Sequence, residues 1–257
     1  MKVVILAGGF GTRITEESHL KPKPMIEIGG YPIMWHIMKL YSYYGFNDFV
    51  ICGGYKVNVI KEFFANYYLH TSDVTFDFAN GGERIIHSNV AEPWKVTVID
   101  TGYNTMTGGR IKRIQKYIGD EPFLLTYGDG LCDEDINKVV EFHNSNKRYL
   151  TITSILPGGR FGVMNIKNDG KVDSFMEKDA RDGGWINGGF MVVEPQVFDY
   201  IPGDTTNFEK ETIPVLVKMG QVDAYKYTGF WQCMDTMRDK EYLESLWASG
   251  NPQWKKW

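Results

Sequence analysis

What the chain lacks narrows its chemistry first. None of its apolar runs is long enough to span a bilayer, and the stretch after Met1-Lys2 is too short for a signal peptide. Cysteine is scarce: Cys52, Cys132 and Cys233 form no C-x-x-C pair, and an odd number leaves one thiol over. That excludes a disulfide framework and a structural zinc site, and it points to a reducing cytoplasm. Positive charge is not in excess, with 28 Lys and Arg against 32 Asp and Glu and a net charge of −4, so no broad basic face marks a nucleic-acid binder. The phosphate-loop pattern G-x-x-x-x-G-K-[ST] is missing. A dinucleotide fingerprint is incomplete too: its third glycine is Ile14, and the second strand closes on Ile51-Cys52-Gly53-Gly54 without an acid. No Ser/His/Asp or Cys/His set is recognisable.

What is present is concentrated at the start. Val3-Val4-Ile5-Leu6-Ala7 is a short apolar run, β-branched at three of its five positions, as in a strand buried on both faces. Gly8-Gly9-Phe10-Gly11-Thr12-Arg13 follows at once. Three glycines let backbone N–H groups approach a ligand closely, Thr12 adds a hydroxyl and Arg13 a forked cation, a combination suited to nucleotide phosphates. Beyond it, Lys21-Pro22-Lys23-Pro24 places each lysine before a proline, which predicts an extended segment with both lysines pointing one way. Lys23, held between two prolines, is the better phosphate ligand of the two.

Helices are expected over Ile33 to Tyr44 and Val57 to Leu69, and strands at Phe49 to Cys52, Val96 to Asp100 and Phe123 to Tyr127. This βαβα order implies a parallel sheet with right-handed crossovers. Shorter strands are expected at Val74 to Phe78 and Arg84 to His87 around an Asn80-Gly81-Gly82 turn. The second half is richer in strands: Tyr149 to Leu156, Gly162 to Ile166, Val172 to Met176, Trp185 to Val193 and Ala224 to Thr228. A helix from Phe208 to Met219 carries Pro214, so a kink or break is expected there. A last helix runs through Trp247, with Asp235 or Thr236 as its cap. The final residues carry two tryptophans that read as exposed, suited to docking on a neighbouring subunit.

Several polar positions stand at strand ends. Gly128-Asp129-Gly130 closes the Phe123 strand, where a carboxylate either turns the chain or holds Mg²⁺, an ion that takes one or two carboxylates plus substrate phosphates. Asp133-Glu134-Asp135 resembles the D-x-D of metal-dependent glycosyltransferases, but it also begins the helix Ile136 to Asn144, where acids favour the dipole, and that plainer reading is taken. In Thr107-Gly108-Gly109-Arg110, the glycines would let a flat ring lie at a helix N-terminus, and the arginine fork matches the O2 and N3 acceptors of cytosine; a plain surface arginine fits the same sequence. Glu177-Lys178 and Asn187 suit sugar hydroxyls and a sugar phosphate, or simply a solvated strand end.

Taken together, Leu6-Ala7-Gly8-Gly9-x-Gly11-Thr12-Arg13, Lys23, Gly128-Asp129, Glu177-Lys178, Asn187-Gly188-Gly189 and a late Asp235 resemble the sugar-phosphate nucleotidylyltransferase family. The stretches KPKPM, TGGR, TYGDG, GRFG and GFWQ–MDT–RDK spread the resemblance over nearly the whole chain and place it in the cytidylyl branch. ITEESHL, standing at 14–20 where other branches carry Pro-x-Thr, favours that branch as well, while Glu177-Lys178-Asp179 departs from the usual Glu-Lys-Pro.

The resemblance implies an α/β fold: a Rossmann-like, mixed and mostly parallel sheet flanked by helices, with a smaller β-rich part for sugar binding and oligomerisation. It implies one domain over 1–257, with a nucleotide-binding half at 1–130 and a sugar-phosphate half with the C-terminal helix at 131–257. The partners it implies are CTP and glucose 1-phosphate, with Mg²⁺ as cofactor and a cytoplasmic homo-oligomer, trimer or hexamer. Leu6, Ala7, Gly8, Gly9, Phe10, Gly11, Thr12 and Arg13 would cradle the triphosphate, Arg13 stabilising the departing pyrophosphate. Lys23 would neutralise the α-phosphate, and Thr105, Gly109, Arg110 and Gly128 would border the nucleotide. Asp129 and Asp235 would share Mg²⁺. Lys178 would meet the sugar phosphate, with Glu177, Asn187 and Gly188 near the hexose.

Overall fold

The computed structural model describes residues 1–88, 91–156, 163–166, 172–176 and 184–257. Seven strands in this range form one sheet. They are β1 (Val3–Ala7), β2 (Asp48–Gly53), β3 (Lys95–Asp100), β4 (Phe123–Tyr127), β5 (Leu150–Ile155), β6 (Ile186–Val193) and β7 (Val222–Tyr227). Their order is β7-β5-β6-β4-β1-β2-β3. All neighbours are parallel except β6, which runs antiparallel to both β4 and β5. Strands from both halves of the chain therefore share a single sheet.

Alternation along β1 explains its burial on both faces. Val3, Ile5 and Ala7 join one apolar core, and Val4 and Leu6 join the other. Helices α1 (Ile33–Tyr43) and α2 (Val57–Ala65) supply residues to the first core, and Ile111 of α3 (Thr107–Arg113) enters the second. Helices α4 (Ile136–Asn146) and α5 (Met237–Ala248) close the first core with Ile136, Val139 and Leu243. Sheet-plus-helix layers of this kind leave ligand space beyond the carboxyl ends of the parallel strands. In register, Leu6 pairs with Cys52 and with Tyr127, so the turns after β1, β2 and β4 emerge together.

Several expectations need correction. The segment from Val57 is two helices, breaking after Ala65 and resuming at Tyr67–His70. The helix expected from Phe208 is present, but it opens with a wide π-helical turn, Phe208–Thr212, before the α-helical part Ile213–Lys218. Pro214 sits in the first turn of the α-helical part, where no N–H is needed, so the irregularity is the widened turn that precedes it and the helix is not interrupted. Lys23 opens a single tight turn, Lys23–Met25, instead of continuing an extended run, because proline is tolerated in a first turn. The lysine pair is consequently split: Lys21 reaches Glu27 at 2.8 Å, away from the glycine turn.

The terminal tryptophans are not an exposed docking pair. Trp254 is fully buried, stacked on Phe230 at 5.7 Å, and Trp257 packs edge-on against Trp35. Trp254 Nε1 donates to His36 Nδ1 at 3.3 Å, which leaves His36 Nε2 to donate to the Ile28 carbonyl at 2.8 Å. Burial lowers the His36 pKa to about 4, so this aromatic cap is closed around a neutral imidazole.

Hydrogen bonding accounts for two of the three acids at Asp133 to Asp135, and only Asp135 is a cap. Asp135 caps α4 through Asn137 N at 3.0 Å, and Asp133 accepts from Phe230 N at 2.8 Å and from the Tyr227 hydroxyl. Glu134 instead points into the core, 1% exposed and without a hydrogen-bond partner for either oxygen among the described residues. Burial chiefly, with Asp133 and Asp135 adding to it and Thr153 opposing, pushes its pKa up to about 8. The unfolded chain ionises this carboxyl near its ordinary value while the folded chain keeps the proton, so stability falls as pH rises from about 4.5 to about 8. A shift of that size corresponds to roughly 5 kcal/mol. Glu134→Gln is therefore expected to unfold at a higher temperature than the wild type at pH 8 and at nearly the same temperature at pH 5. Calorimetry at the two pH values measures the difference.

Candidate functional site

The site is a cleft of about 630 Å³ at the carboxyl ends of β1, β3 and β4. Leu6, Ala7, Gly8, Gly9, Phe10, Gly11, Thr12 and Arg13 line it together with Lys23, Thr105, Arg110, Gly128, Asp129 and Asp235. A smaller recess of about 260 Å³ adjoins it, bounded by Asn187 and Gly188 and sharing Arg13, Tyr127, Asp129 and Asp235 with the main cleft. Glu177 and Lys178 lie outside the described residues.

The two aspartates, 106 positions apart in sequence, are brought together by a short strand pair. Trp231–Cys233 runs antiparallel to Gly130–Cys132, with Cys233 opposite Gly130, and Met234 N donates to the Asp129 carbonyl at 2.8 Å. Helix α5 is capped by Thr236, which exchanges hydrogen bonds with Asp239 in a capping box. Thr236, not Asp235, thus settles the capping question, and the Asp235 carboxylate is released towards the cleft. There Lys23 Nζ lies 2.5 Å from Asp129 Oδ2 and 2.6 Å from Asp235 Oδ1, and Arg13 Nη1 lies 2.7 Å from Asp235 Oδ2. Burial alone would lower the Lys23 pKa, but the adjoining charges of Asp129 and Asp235 outweigh it and the net shift is upward. The ammonium stays protonated through neutral and mildly alkaline pH. Two cations and two anions cancel at the point where the cleft meets the recess.

The glycine turn is shaped by close approach. At Gly11 φ is +64°, a conformation that suits glycine. A Cβ on Gly8 would lie 2.2 Å from the Arg110 guanidinium carbon, whereas one on Gly9 would meet nothing within 4 Å, so the chain is open to a ligand at Gly9.

Arg110 departs from its expected position. It is 6% exposed, and its two terminal nitrogens donate to the carbonyls of Gly8, Gly53, Gly102 and Tyr103 and to the Thr101 hydroxyl, at 2.8 to 3.3 Å. Those four terminal N–H groups, which the sequence reading aimed at a base edge, are spent stitching together the turns after β1, β2 and β3. Burial lowers its pKa from the ordinary arginine value. Arg110→Ala would strand this nest of acceptors and is expected to lower the thermal midpoint by several degrees, because each orphaned acceptor costs about 1–3 kcal/mol. Differential scanning fluorimetry reads this directly.

Gly108 and Gly109 also serve packing. Their would-be Cβ atoms lie 2.7 Å from Thr206 O and 2.5 Å from Asp204 Cα, which seats α3 against the 203–207 segment and leaves no room for a flat ring. Sequence reasoning missed Tyr103 and Tyr127. Tyr103 packs edge-on against Phe10 at 4.9 Å, at the cleft mouth. Tyr127, whose only signal was its place before Gly128-Asp129, separates cleft from recess.

Asp129 and Asp235 fit a Mg²⁺ ion. A single cation, the Lys23 ammonium, already touches both carboxylates, and Mg²⁺ typically takes one or two protein carboxylates with substrate phosphates completing its shell. No cluster of three or more His, Cys, Asp or Glu suited to a metal occurs among the described residues. No helix among them is long and apolar enough to cross a membrane.

Comparison with known proteins adds independent findings. Residues 2–245 match the family model described as nucleotidyl transferase. The chain is 54% identical over 258 aligned residues, covering both proteins completely, to glucose-1-phosphate cytidylyltransferase of Salmonella typhimurium. It is 43% identical, again over the full length of both, to a probable glucose-1-phosphate cytidylyltransferase of Bacillus subtilis. Among solved structures it is similar to HddC from Yersinia pseudotuberculosis complexed with GMP-PN, with a TM-score of 0.68 and 25% identity over 96% of this chain and 99% of that one.

Proposed function

The chain belongs to the nucleotidyl transferase family, and from that premise we propose that it converts CTP and α-D-glucose 1-phosphate to CDP-glucose and pyrophosphate. The observation that carries the proposal is the convergence of Lys23, Arg13, Asp129 and Asp235 beside the glycine turn. The names of the full-length relatives support the choice of cytidine and glucose.

The chemistry asks little of the protein by way of proton transfer. A sugar phosphate oxygen is already ionised at neutral pH and attacks the α-phosphorus of the nucleotide in line, while pyrophosphate leaves. The barrier lies in bringing two polyanions together and spreading the charge that develops. Backbone N–H groups around Gly8, Gly9 and Gly11 orient the triphosphate. Arg13, with its side chain 71% exposed, follows the departing pyrophosphate. Lys23 meets the α-phosphate as its charge grows. Asp129 and Asp235 would hold Mg²⁺, which when bound supplies charge neutralisation and alignment of phosphate oxygens. Thr105 and Gly128 border the nucleoside, and Arg110 holds the walls that it rests on. Asn187 and Gly188 bound the sugar side, where the family resemblance also puts Glu177 and Lys178. The same resemblance supports a cytoplasmic homo-oligomer, which light scattering would measure.

The test is pyrophosphate release from ATP, CTP, GTP, UTP and dTTP, each with glucose 1-phosphate and Mg²⁺, then from CTP with other sugar phosphates. CTP with glucose 1-phosphate is expected to exceed every other pair by at least about tenfold in kcat/KM, some 1.4 kcal/mol of discrimination. A faster reaction with another nucleotide or sugar would replace the substrate assignment.

A further inference from the structure

The geometry points to Glu209 as a positioning residue that sets the hydrogen-bond polarity of Tyr127, and through it the recognition of a sugar hydroxyl; this rests on the sugar-phosphate reading above. Glu209 lies in the wide turn Phe208–Thr212, far from any motif of the sequence. One carboxylate oxygen accepts from the Tyr127 hydroxyl at 2.6 Å and the other from the Thr107 hydroxyl at 2.6 Å. Thr107 Oγ1 in turn accepts from Phe208 N at 3.0 Å, so the Thr107 hydroxyl is committed as donor and acceptor. The arrangement joins the first residue of α3 to the last residue of β4, the residue that leads into Gly128-Asp129.

Its chemical consequence falls on Tyr127. A carboxylate only accepts, so the phenol proton is held towards Glu209 and the oxygen presents lone pairs to the rest of its surroundings. Burial, together with the Glu209 charge, raises the Tyr127 pKa and keeps the phenol neutral. Asn187 Nδ2 donates to that oxygen at 3.4 Å on the recess side, a long bond that takes one lone pair and leaves the other for a ligand. The ring packs closely on Gly189, where a Cβ would come within 2.6 Å of Tyr127 Cδ2, so it has little freedom to swing away. An acceptor fixed at the boundary of the recess selects a ligand that offers a hydroxyl donor there, as a hexose does. Triphosphate recognition, centred on the glycine turn, does not pass through this oxygen.

Glu209→Gln separates this from simple scaffolding. The amide oxygen satisfies Thr107, the amide N–H₂ then faces Tyr127, and the phenol must turn its proton towards the recess. The steady-state constants of wild type, Glu209→Gln, Tyr127→Phe and the double variant test the idea. Both single variants are expected to raise KM for glucose 1-phosphate by about tenfold while KM for CTP stays within about twofold, and the double variant is expected to be no worse than Tyr127→Phe alone. An unchanged KM in Glu209→Gln overturns the proposal, as does a parallel rise in both KM values with a lowered thermal midpoint, or full additivity in the double variant. Failure of the wild type to use CTP and glucose 1-phosphate refutes the substrate assignment alone, and the same four chains are then compared with the pair that the wild type does use.

Discussion

Lys23→Ala is expected to lower kcat for pyrophosphate release by about 10³-fold or more, while the thermal midpoint stays within a few degrees of the wild type. The loss, about 4 kcal/mol, is what removing one preorganised cation from a developing charge typically costs. Nothing near Lys23 replaces it: Arg13 is the other cation of the cluster, and it is engaged with Asp235 and turned to solvent. The fold is expected to survive because Lys23 lies on a one-turn segment whose hydrophobic anchors, Pro24 and Met25, are untouched. Its partners also keep access to water, with side chains 28% and 25% exposed. Stopped assays of pyrophosphate release, beside circular dichroism of the same samples, measure both halves of the expectation. A variant with near-normal turnover would remove Lys23 from the mechanism.

Asp129→Asn and Asp235→Asn carry the second large effect. Each replaces an anionic oxygen donor with a neutral amide of the same shape, so packing is kept while attraction for a divalent cation falls. Each is expected to reduce turnover by about 10²-fold or more at moderate Mg²⁺, with partial recovery as Mg²⁺ is raised. The pair is expected to be strongly non-additive, since one ion cannot be lost twice. Asp235 has a second link, to Arg13, so its variant is also expected to loosen pyrophosphate binding. Product inhibition by pyrophosphate, weaker for Asp235→Asn than for Asp129→Asn, separates the two contributions.

How far the site could be read from sequence depended on how local each cause was. Val3–Ala7 and Phe123–Tyr127 were legible as strands because burial on both faces leaves a continuous apolar run, and the glycine turn because its chemistry is contiguous. The roles of Lys23, Asp129 and Asp235 came with the family resemblance. What brings them together, a three-residue strand pair that sets Cys233 opposite Gly130, leaves no periodic signal. Arg110 was misdirected for a related reason: an arginine in a first helical turn looks solvent-facing until the carbonyls of three separate turns are known to surround it. Gly108 and Gly109 read as space for a ligand, when the space is filled by the backbone at Asp204 and Thr206. Trp254 read as exposed because its cover, Phe230 and His36, is distant in the chain. Glu209 had no local signal at all; its meaning lies wholly in two hydroxyls about a hundred residues upstream.

The central claim is that the Lys23 ammonium and a divalent cation compete for the same two carboxylates. Electron paramagnetic resonance of Mn²⁺, titrated into nucleotide-free wild type, Lys23→Ala and Asp129→Asn, tests it most directly. The account predicts tighter Mn²⁺ binding in Lys23→Ala, by about tenfold for removal of a competing charge at contact distance, and loss of the site in Asp129→Asn. Equal Mn²⁺ affinity in all three chains would contradict it.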